Sequence, residues 1–257
     1  MLDDLPAAST PAWADTRARL RDAARVCVLT GAGMSAESGI PTFRDALTGL
    51  WSRFDPAQLA SEEGFRADPA LVWNWYAERR EGVRRAEPNA GHHALAAWSA
   101  RRPGRVTVVT QNVDDLHQRA GQRGVIRLHG DILAARWLQD CPRRPACDIA
   151  EADDGAPPRC PRCGNLLRPG VVWFGEALPE GALVAATHAA DNGDVMLVVG
   201  TSGAVWPAAG LAGRARRAGA RVVIVNPHPS EIDDEAHAVL RGTAARVLPR
   251  LLALDGP

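Results

Sequence analysis

The residues with the most specific chemistry lie in a glycine-rich stretch near the N-terminus. Gly31-Ala32-Gly33, followed by Ser35, comes directly after the β-branched run Val26–Thr30. A strand that ends in Gly-x-Gly-x-x-Gly/Ala brings backbone N–H groups and a helix N-terminus up to a pyrophosphate. A dehydrogenase would then continue through a helix into a second strand that ends in an acidic residue. This chain continues instead into Pro41-Thr42-Phe43-Arg44, so the stretch predicts a dinucleotide site that does not serve hydride transfer.

Polar side chains follow two other strand-like runs. His129 comes directly after Val125–Leu128, and Gln111-Asn112-Val113-Asp114 comes directly after Val106–Thr110. An isolated histidine is usually structural, but at a strand tip facing a dinucleotide loop we predict that His129 is a general base. The amides and the carboxylate could bind a ribose or the nicotinamide carboxamide, or Asp114 could simply cap the next helix, as could Asp115.

Four of the five cysteines lie close together in the sequence. Cys160 and Cys163 form a Cys-x-x-Cys knuckle, whereas Cys141 and Cys147 are separated by five residues. The knuckle spacing suits two thiolates on one zinc ion, and we predict a four-cysteine structural site. The alternative is a module that has lost its metal. Cys27 lies within a strand-like run and is predicted to be part of the core.

Composition excludes several classes of function. The chain has 257 residues, with 30 basic residues balanced by 30 acidic ones, and it contains no lysine. Schiff-base chemistry and a Walker-type phosphate lysine are therefore excluded. The absence of net charge argues against nucleic acid as a partner, and no apolar run is long enough for a membrane span. Because there is no apolar N-terminal segment, we expect a cytoplasmic protein. We also expect a monomer.

Strand-like runs alternate with helical ones, which predicts an α/β fold with a Rossmann-like parallel sheet. The runs Val195–Gly200 and Val222–Val225 complete the predicted strands, and their tips should meet the glycine loop at one edge. Residues 45–88 form a predicted helical module, and 135–168 a predicted zinc-binding module of a smaller domain. The large domain would comprise residues 1–44, 89–134 and 169–257.

The ordered motifs resemble those of the sirtuins, NAD-dependent protein deacylases, from about residue 20 to 252. The resemblance rests on residues 31–44, Thr110–Asp114, His129-Gly130, Arg168–Glu176 and Gly200-Thr201-Ser202. It implies NAD as co-substrate, one structural zinc, and an acyl-lysine peptide bound between the two domains. Besides the residues already named, it implies cofactor contacts from Glu37, Gly200, Thr201, Ser202, Asn226 and Ala244, and substrate contacts from Val172, Trp173, Phe174, Gly175 and Glu176. The first cysteine pair departs from the family pattern, since Trp137 stands where sirtuins place a cysteine.

The resemblance also implies a mechanism. The acyl oxygen attacks C1′ of the nicotinamide ribose and expels nicotinamide, while Asn112 and Asp114 orient the ribose and the nicotinamide amide. His129 then takes a proton from a ribose hydroxyl, and hydrolysis releases lysine and an O-acyl-ADP-ribose. One alternative is a protein mono-ADP-ribosyltransferase on the same fold, and another is a non-catalytic NAD-binding module.

A tyrosine and an arginine suggest the acyl group. Tyr76 is the only tyrosine in the chain, and Arg79 follows three positions later in a stretch of helical character, so both should share one helix face. A core tyrosine beside a solvated arginine is the commoner case. The pair nevertheless resembles the one that binds the distal carboxylate of succinyl- or malonyl-lysine in desuccinylase-type sirtuins. A guanidinium and a phenol suit that carboxylate, and we expect removal of acetyl as well as succinyl groups.

Overall fold

The computed structural model describes residues 10–41, 55–141 and 146–253. Its centre is a six-stranded parallel sheet in the order β3-β2-β1-β6-β7-β8. The strands are β1 (Val26–Thr30), β2 (Val106–Thr110), β3 (Ile126–Arg127), β6 (Val195–Val199), β7 (Arg221–Val225) and β8 (Ala238–Leu240). The strand order changes direction between β1 and β6. In open α/β sheets, ligands bind at the carboxyl ends of the strands at such a point.

Helices cover both faces of this sheet because its central strands are apolar on both sides. In β1, Val26 and Val28 face one buried cluster, whereas Cys27 and Leu29 face the other. The helices are α1 (Pro11–Asp22), α2 (Pro56–Leu59), α3 (Glu62–Ala67), α4 (Pro69–Arg85), α5 (Ala90–Ala100), α6 (Leu116–Arg119), α7 (Glu180–Asn192), α8 (Gly210–Arg217) and α9 (Ala244–Leu252). Side chains of α1, α5 and α9 fill the first cluster, and those of α7 and α8 the second. The period of two along the strand thus produces the two-sided core.

A small antiparallel ribbon lies outside the main sheet. It pairs β4 (Gly130–Trp137) with β5 (Leu167–Val171), with an irregularity in register between Gly130 and Ala135. One face of the ribbon shares a buried cluster with α2, α3 and α4, which includes Phe65, Trp75 and Ile132. The ribbon crosses the boundaries at 134/135 and 168/169 between the predicted modules, and those boundaries stay a prediction.

The predicted fold class is confirmed. Strands β1 and β2 and helix α5 have the predicted bounds, and residues 55–88 are largely helical. Among the described residues, no helix is long and apolar enough to cross a membrane.

Candidate active site

The glycine loop packs against the tip of β6. The Gly33 N–H donates to the Gly200 carbonyl at 2.8 Å, and the Gly31 N–H donates to the Val199 carbonyl at 3.0 Å. A Cβ on Gly33 would lie 2.7 Å from Gly200 Cα, and one on Gly31 would lie 2.8 Å from Gly200 O. The Gly33 N–H thus makes a hydrogen bond within the protein. The role of this loop in binding the pyrophosphate stays a prediction. Both glycines are required because two loops approach each other here.

A buried hydrogen-bond network joins this loop to the tip of β2. The Ser35 hydroxyl donates to Asp114 Oδ2 at 2.9 Å, and Asn112 Nδ2 donates to Ser35 Oγ at 3.1 Å. Asp114 Oδ1 accepts from the Leu116 N–H at 3.0 Å, so this carboxylate also caps α6. Burial raises the pKa of Asp114, while its hydrogen bonds with Leu116 and Ser35 oppose the change. The capping and polar-site interpretations of Asp114 are thus compatible.

His129 lies at the end of β3 with a fixed ring orientation. Its Nδ1 is 2.8 Å from the Gln111 carbonyl oxygen. Since a carbonyl only accepts, Nδ1 carries the proton and Nε2 presents the lone pair of a neutral imidazole. Burial lowers the pKa of His129, and the bond to Gln111 partly offsets this effect. The geometry therefore presents a neutral base at the tip of the sheet.

One cavity of about 280 Å³ collects most of the predicted residues. We call the part of its lining on the strand tips, with Asn112, Asp114 and His129, the polar end, and the part on α4 and the ribbon, with Tyr76 and Arg79, the far end. The described residues that also line it include Ala32, Ser35, Pro41, Gln111, Val172, Trp173, Phe174, Gly175 and Glu176. The cavity thus has walls from the main sheet, from α4 and from the ribbon.

The far end of the cavity is built from aromatic rings and one guanidinium. Tyr76 is 2% exposed, and its hydroxyl oxygen lies 3.2 Å from Trp173 Nε1. The Arg79 guanidinium carbon lies 4.7 Å above the Trp75 ring and 5.8 Å from the centre of the Tyr76 ring. Burial lowers the pKa of Arg79, as expected for a cation removed from water. Helix α4 therefore places a cation and a phenol on one wall, as its spacing predicts.

Glu176 lines the cavity, and its carboxylate also makes contacts within the protein. Its carboxylate pairs with the buried Arg168 and with Arg136, and accepts from the Trp173 N–H at 2.8 Å. Hydrogen bonding and charge from Arg168 hold the pKa of Glu176 below its usual value against the opposing effect of burial. These contacts fix the turn after β5, so the Glu176 carboxylate is already used within the protein.

The remaining predicted cofactor residues cluster around the tips of β6 and β7. Gln111 Nε2 donates to Thr201 Oγ1 at 3.1 Å, and Asn226 Nδ2 donates to the Thr201 carbonyl at 3.0 Å. Glu37 accepts from the Ala245 N–H at 3.0 Å, beside the buried Ala244. Glu37 thus caps α9, and Ser202 is exposed on the β6 loop. Thr42, Phe43 and Arg44 lie outside the described residues.

Sequence reasoning missed two residues of the site. Trp206 and Pro207 line the cavity beside Val205, and Trp206 is 73% exposed. A tryptophan three residues after the Gly-Thr-Ser-Gly tip was the available signal.

The cysteines form a compact cluster away from the cavity. The sulfur atoms of Cys141, Cys147 and Cys163 all lie within 4.8 Å of one another, and the first two are 3.2 Å apart. Cys160 is 1% exposed and belongs to the same buried cluster, beside this group of three. Four thiolates at about 2.3 Å from one zinc would be separated by about 3.8 Å. The donor set and spacing therefore fit a tetrahedral zinc site, despite the irregular first pair.

Cys27 behaves as predicted for a core residue. It is buried in β1, and burial raises the pKa of its thiol to about 12.

Comparisons with known proteins agree with this architecture. Residues 31–207 match the Sir2 family. A protein of Ralstonia nicotianae named NAD-dependent protein deacylase is 55% identical over 251 residues, covering 97% of this chain and all of its own length. The structure of a Sir2 homologue–NAD complex superposes with a TM-score of 0.82 at 42% identity, covering 93% of this chain and 92% of the other. Sir2Tm bound to a propionylated peptide superposes with a TM-score of 0.79 at 30% identity, covering 93% of this chain and 96% of the other. The family match spans well over half of the sequence and includes the glycine loop, His129 and the cysteine cluster, so the chain belongs to the Sir2 family.

Proposed function

We propose that this protein is an NAD-dependent protein-lysine deacylase that removes acetyl groups and the carboxylate-bearing succinyl and malonyl groups. The observation that carries the proposal is a single cavity with His129 at its polar end and Tyr76 and Arg79 at its far end. Relatives named NAD-dependent protein deacylase, and Sir2 structures with NAD and with a propionylated peptide, support the reaction class.

NAD fits the polar edge of the sheet. The β1 and β6 tips form the switch-point crevice, and Asn226 follows β7 at the same edge. Asn112 and Asp114 orient the nicotinamide ribose and the carboxamide, with Ser35 holding both side chains. Among the described residues, the Ala32 N–H makes no internal hydrogen bond and is a better phosphate donor than that of Gly33. Positioning of the ribose C1′ next to the acyl oxygen is the main contribution of these groups.

His129 supplies general base catalysis. Its Nε2 lone pair accepts a proton from a ribose hydroxyl, which promotes attack of that oxygen on the acyl carbon once nicotinamide has left. The Gln111 carbonyl keeps the imidazole in the required tautomer and orientation. The acyl oxygen bonds to C1′ as the bond to nicotinamide breaks, and one water molecule is consumed when the lysine nitrogen leaves the acyl carbon. The products are therefore nicotinamide, lysine and an O-acyl-ADP-ribose.

Tyr76 and Arg79, at the far end of the cavity, select the acyl group. A guanidinium binds a carboxylate through two parallel hydrogen bonds, and a phenol adds a neutral donor. Burial raises the pKa of Tyr76, so its hydroxyl keeps its proton at neutral pH and remains a donor. Val172 and Phe174 also line the cavity and offer apolar contacts to the acyl chain.

The peptide itself lies across the cavity mouth. Phe174, Val205 and Trp206 line the cavity and are exposed, and Gly175 lines it beside Phe174. Backbone pairing of an extended peptide between them gives affinity with weak dependence on sequence.

Zinc has a structural role in this proposal. Cys141, Cys147, Cys160 and Cys163 would hold it, and a site closed by four thiolates has no open position for catalysis. Elemental analysis of the purified protein should find one zinc per chain, and a metal-free but folded protein would contradict this assignment.

Mass spectrometry of acetyl-, succinyl- and malonyl-lysine peptides tests the function directly. Incubation with NAD should remove each acyl group, release nicotinamide and yield an O-acyl-ADP-ribose, whereas incubation without NAD should change nothing. Because the chain contains no lysine, every acyl-lysine signal comes from the substrate. Transfer of ADP-ribose to protein without loss of the acyl group would instead establish the ADP-ribosyltransferase alternative, which no described contact favours.

A further inference from the structure

Trp173 lies between the far end of the cavity and the ribbon. Its ring is 2% exposed and packs 5.3 Å from the Phe65 ring, with the Arg168 guanidinium carbon 3.3 Å from the ring centre on another side. Its backbone N–H is held by Glu176. The indole is therefore fixed from several directions, and its orientation is set by the protein alone.

The indole N–H makes one specific contact. Nε1 donates to the Tyr76 hydroxyl oxygen at 3.2 Å. An indole N–H is only a donor, so the tyrosine oxygen must accept in this pair. A phenol O–H prefers the plane of its ring, and an O–H turned toward Trp173 would set its proton against the indole proton. The contact with Trp173 therefore disfavours that orientation of the Tyr76 proton.

We propose that Trp173 is a positioning residue that orients the Tyr76 hydroxyl as a hydrogen-bond donor to the acyl carboxylate. This inference rests on the proposed function and assigns Trp173 an indirect role in place of direct substrate contact. Without the indole N–H, the Tyr76 hydroxyl can turn toward either side, and part of its binding contribution is lost. The effect should be restricted to acyl groups that carry a carboxylate.

The test is a double-mutant cycle on the ratio of desuccinylation to deacetylation kcat/KM, measured with one peptide sequence. Trp173→Phe keeps an aromatic ring against Arg168 and Phe65 but removes the donor. It should lower the ratio by roughly 2- to 10-fold, the effect of one neutral hydrogen bond. In a Tyr76→Phe background, the same substitution should leave the ratio unchanged, because the hydroxyl that it orients is absent.

A second buried tryptophan provides the control. Trp98 is 0% exposed and lies in the core on the main sheet, away from the cavity. Trp98→Phe should leave the ratio at the wild-type value, even if it lowers thermal stability.

Two results would overturn the inference while leaving the deacylase function intact. One is an equal loss of both activities in Trp173→Phe, and the other is an unchanged effect of this substitution in the Tyr76→Phe background. If the wild-type protein removed neither acyl group in the presence of NAD, the proposed function and the inference would both fail.

Discussion

The two ends of the cavity are built in different ways. The polar end consists of strand tips, where Ser35 holds Asn112 and Asp114 and the Gln111 carbonyl holds His129. The far end consists of α4 and the ribbon, where large rings enclose Tyr76 and Arg79. The first construction suits chemistry common to every acyl-lysine, and the second suits discrimination among acyl groups. This contrast predicts that the rate of deacylation and the selectivity among acyl groups respond to different substitutions.

The largest expected effect concerns the base at the polar end. His129→Ala should lower kcat by about 10²- to 10⁴-fold for acetyl and succinyl peptides alike, since general base catalysis contributes on that order. NAD affinity, measured by calorimetry, should change little because the imidazole acts on a hydroxyl. Loss of NAD binding, or a loss confined to one acyl group, would contradict the division between the two ends.

At the far end, Arg79→Met should act on one substrate only. A hydrogen bond to a charged group contributes about 1.5–3 kcal/mol, so desuccinylation kcat/KM should fall by roughly 10- to 150-fold. Arg80→Met is the matched control, since Arg80 follows on the same helix but stacks on Trp73 outside the cavity. Steady-state kinetics with both peptides check this. Equal losses for acetyl and succinyl peptides would make Arg79 a structural residue.

A third prediction concerns the stability of the glycine loop. Gly33→Ala should lower the free energy of unfolding by about 1–3 kcal/mol in the absence of NAD, because its Cβ would overlap the backbone of Gly200. Gly82→Ala in α4 is the control. Its Cβ would meet nothing within 4 Å, and it should stabilise the protein by roughly 0.5–1 kcal/mol. Denaturant titration distinguishes the two variants. An unchanged unfolding curve for Gly33→Ala would contradict the claim that the close approach to Gly200 requires a glycine at this position.

The smallest expected effect is on pH dependence. The neutral form of His129 is the active base, and its pKa lies below the ordinary histidine value of about 6.5. As pH falls from 8, kcat/KM for the acetyl peptide should therefore decline with an acidic midpoint below 6.5. A pH–rate profile with its acidic midpoint at or above 6.5 would contradict the claim that burial lowers the pKa of His129.

Much of the polar end could be predicted from the sequence because its signals are local. The runs Val26–Thr30 and Val106–Thr110 are continuous apolar segments that end in polar or glycine tips, and both are strands with those bounds. The tips must converge in a parallel sheet, so Asn112 and His129 could be placed together before any coordinates.

The other features of the site depend on contacts between residues that are distant in sequence. The Gly33 N–H is taken by Gly200, and the Glu176 carboxylate by Arg168 and Arg136, and no local pattern reports such pairings. Strand β8 has three residues, too few to show a period. The resemblance to desuccinylase-type sirtuins suggested Tyr76 and Arg79, and their helical spacing put them on one face. The contact with Trp173 required the packing of α4 against the ribbon.

The most direct measurement of the central claim changes the substrate and leaves the protein intact. Wild-type enzyme is compared on succinyl-lysine and on its neutral amide analogue, succinamoyl-lysine, in one peptide sequence with saturating NAD. The two acyl groups have the same length, so a difference reports recognition of the carboxylate charge. The account predicts that the amide analogue loses roughly 10- to 150-fold in kcat/KM, and that Arg79→Met removes this difference. Equal rates for the two acyl groups in the wild-type enzyme would contradict the separation of catalysis and selectivity between the two ends of the cavity.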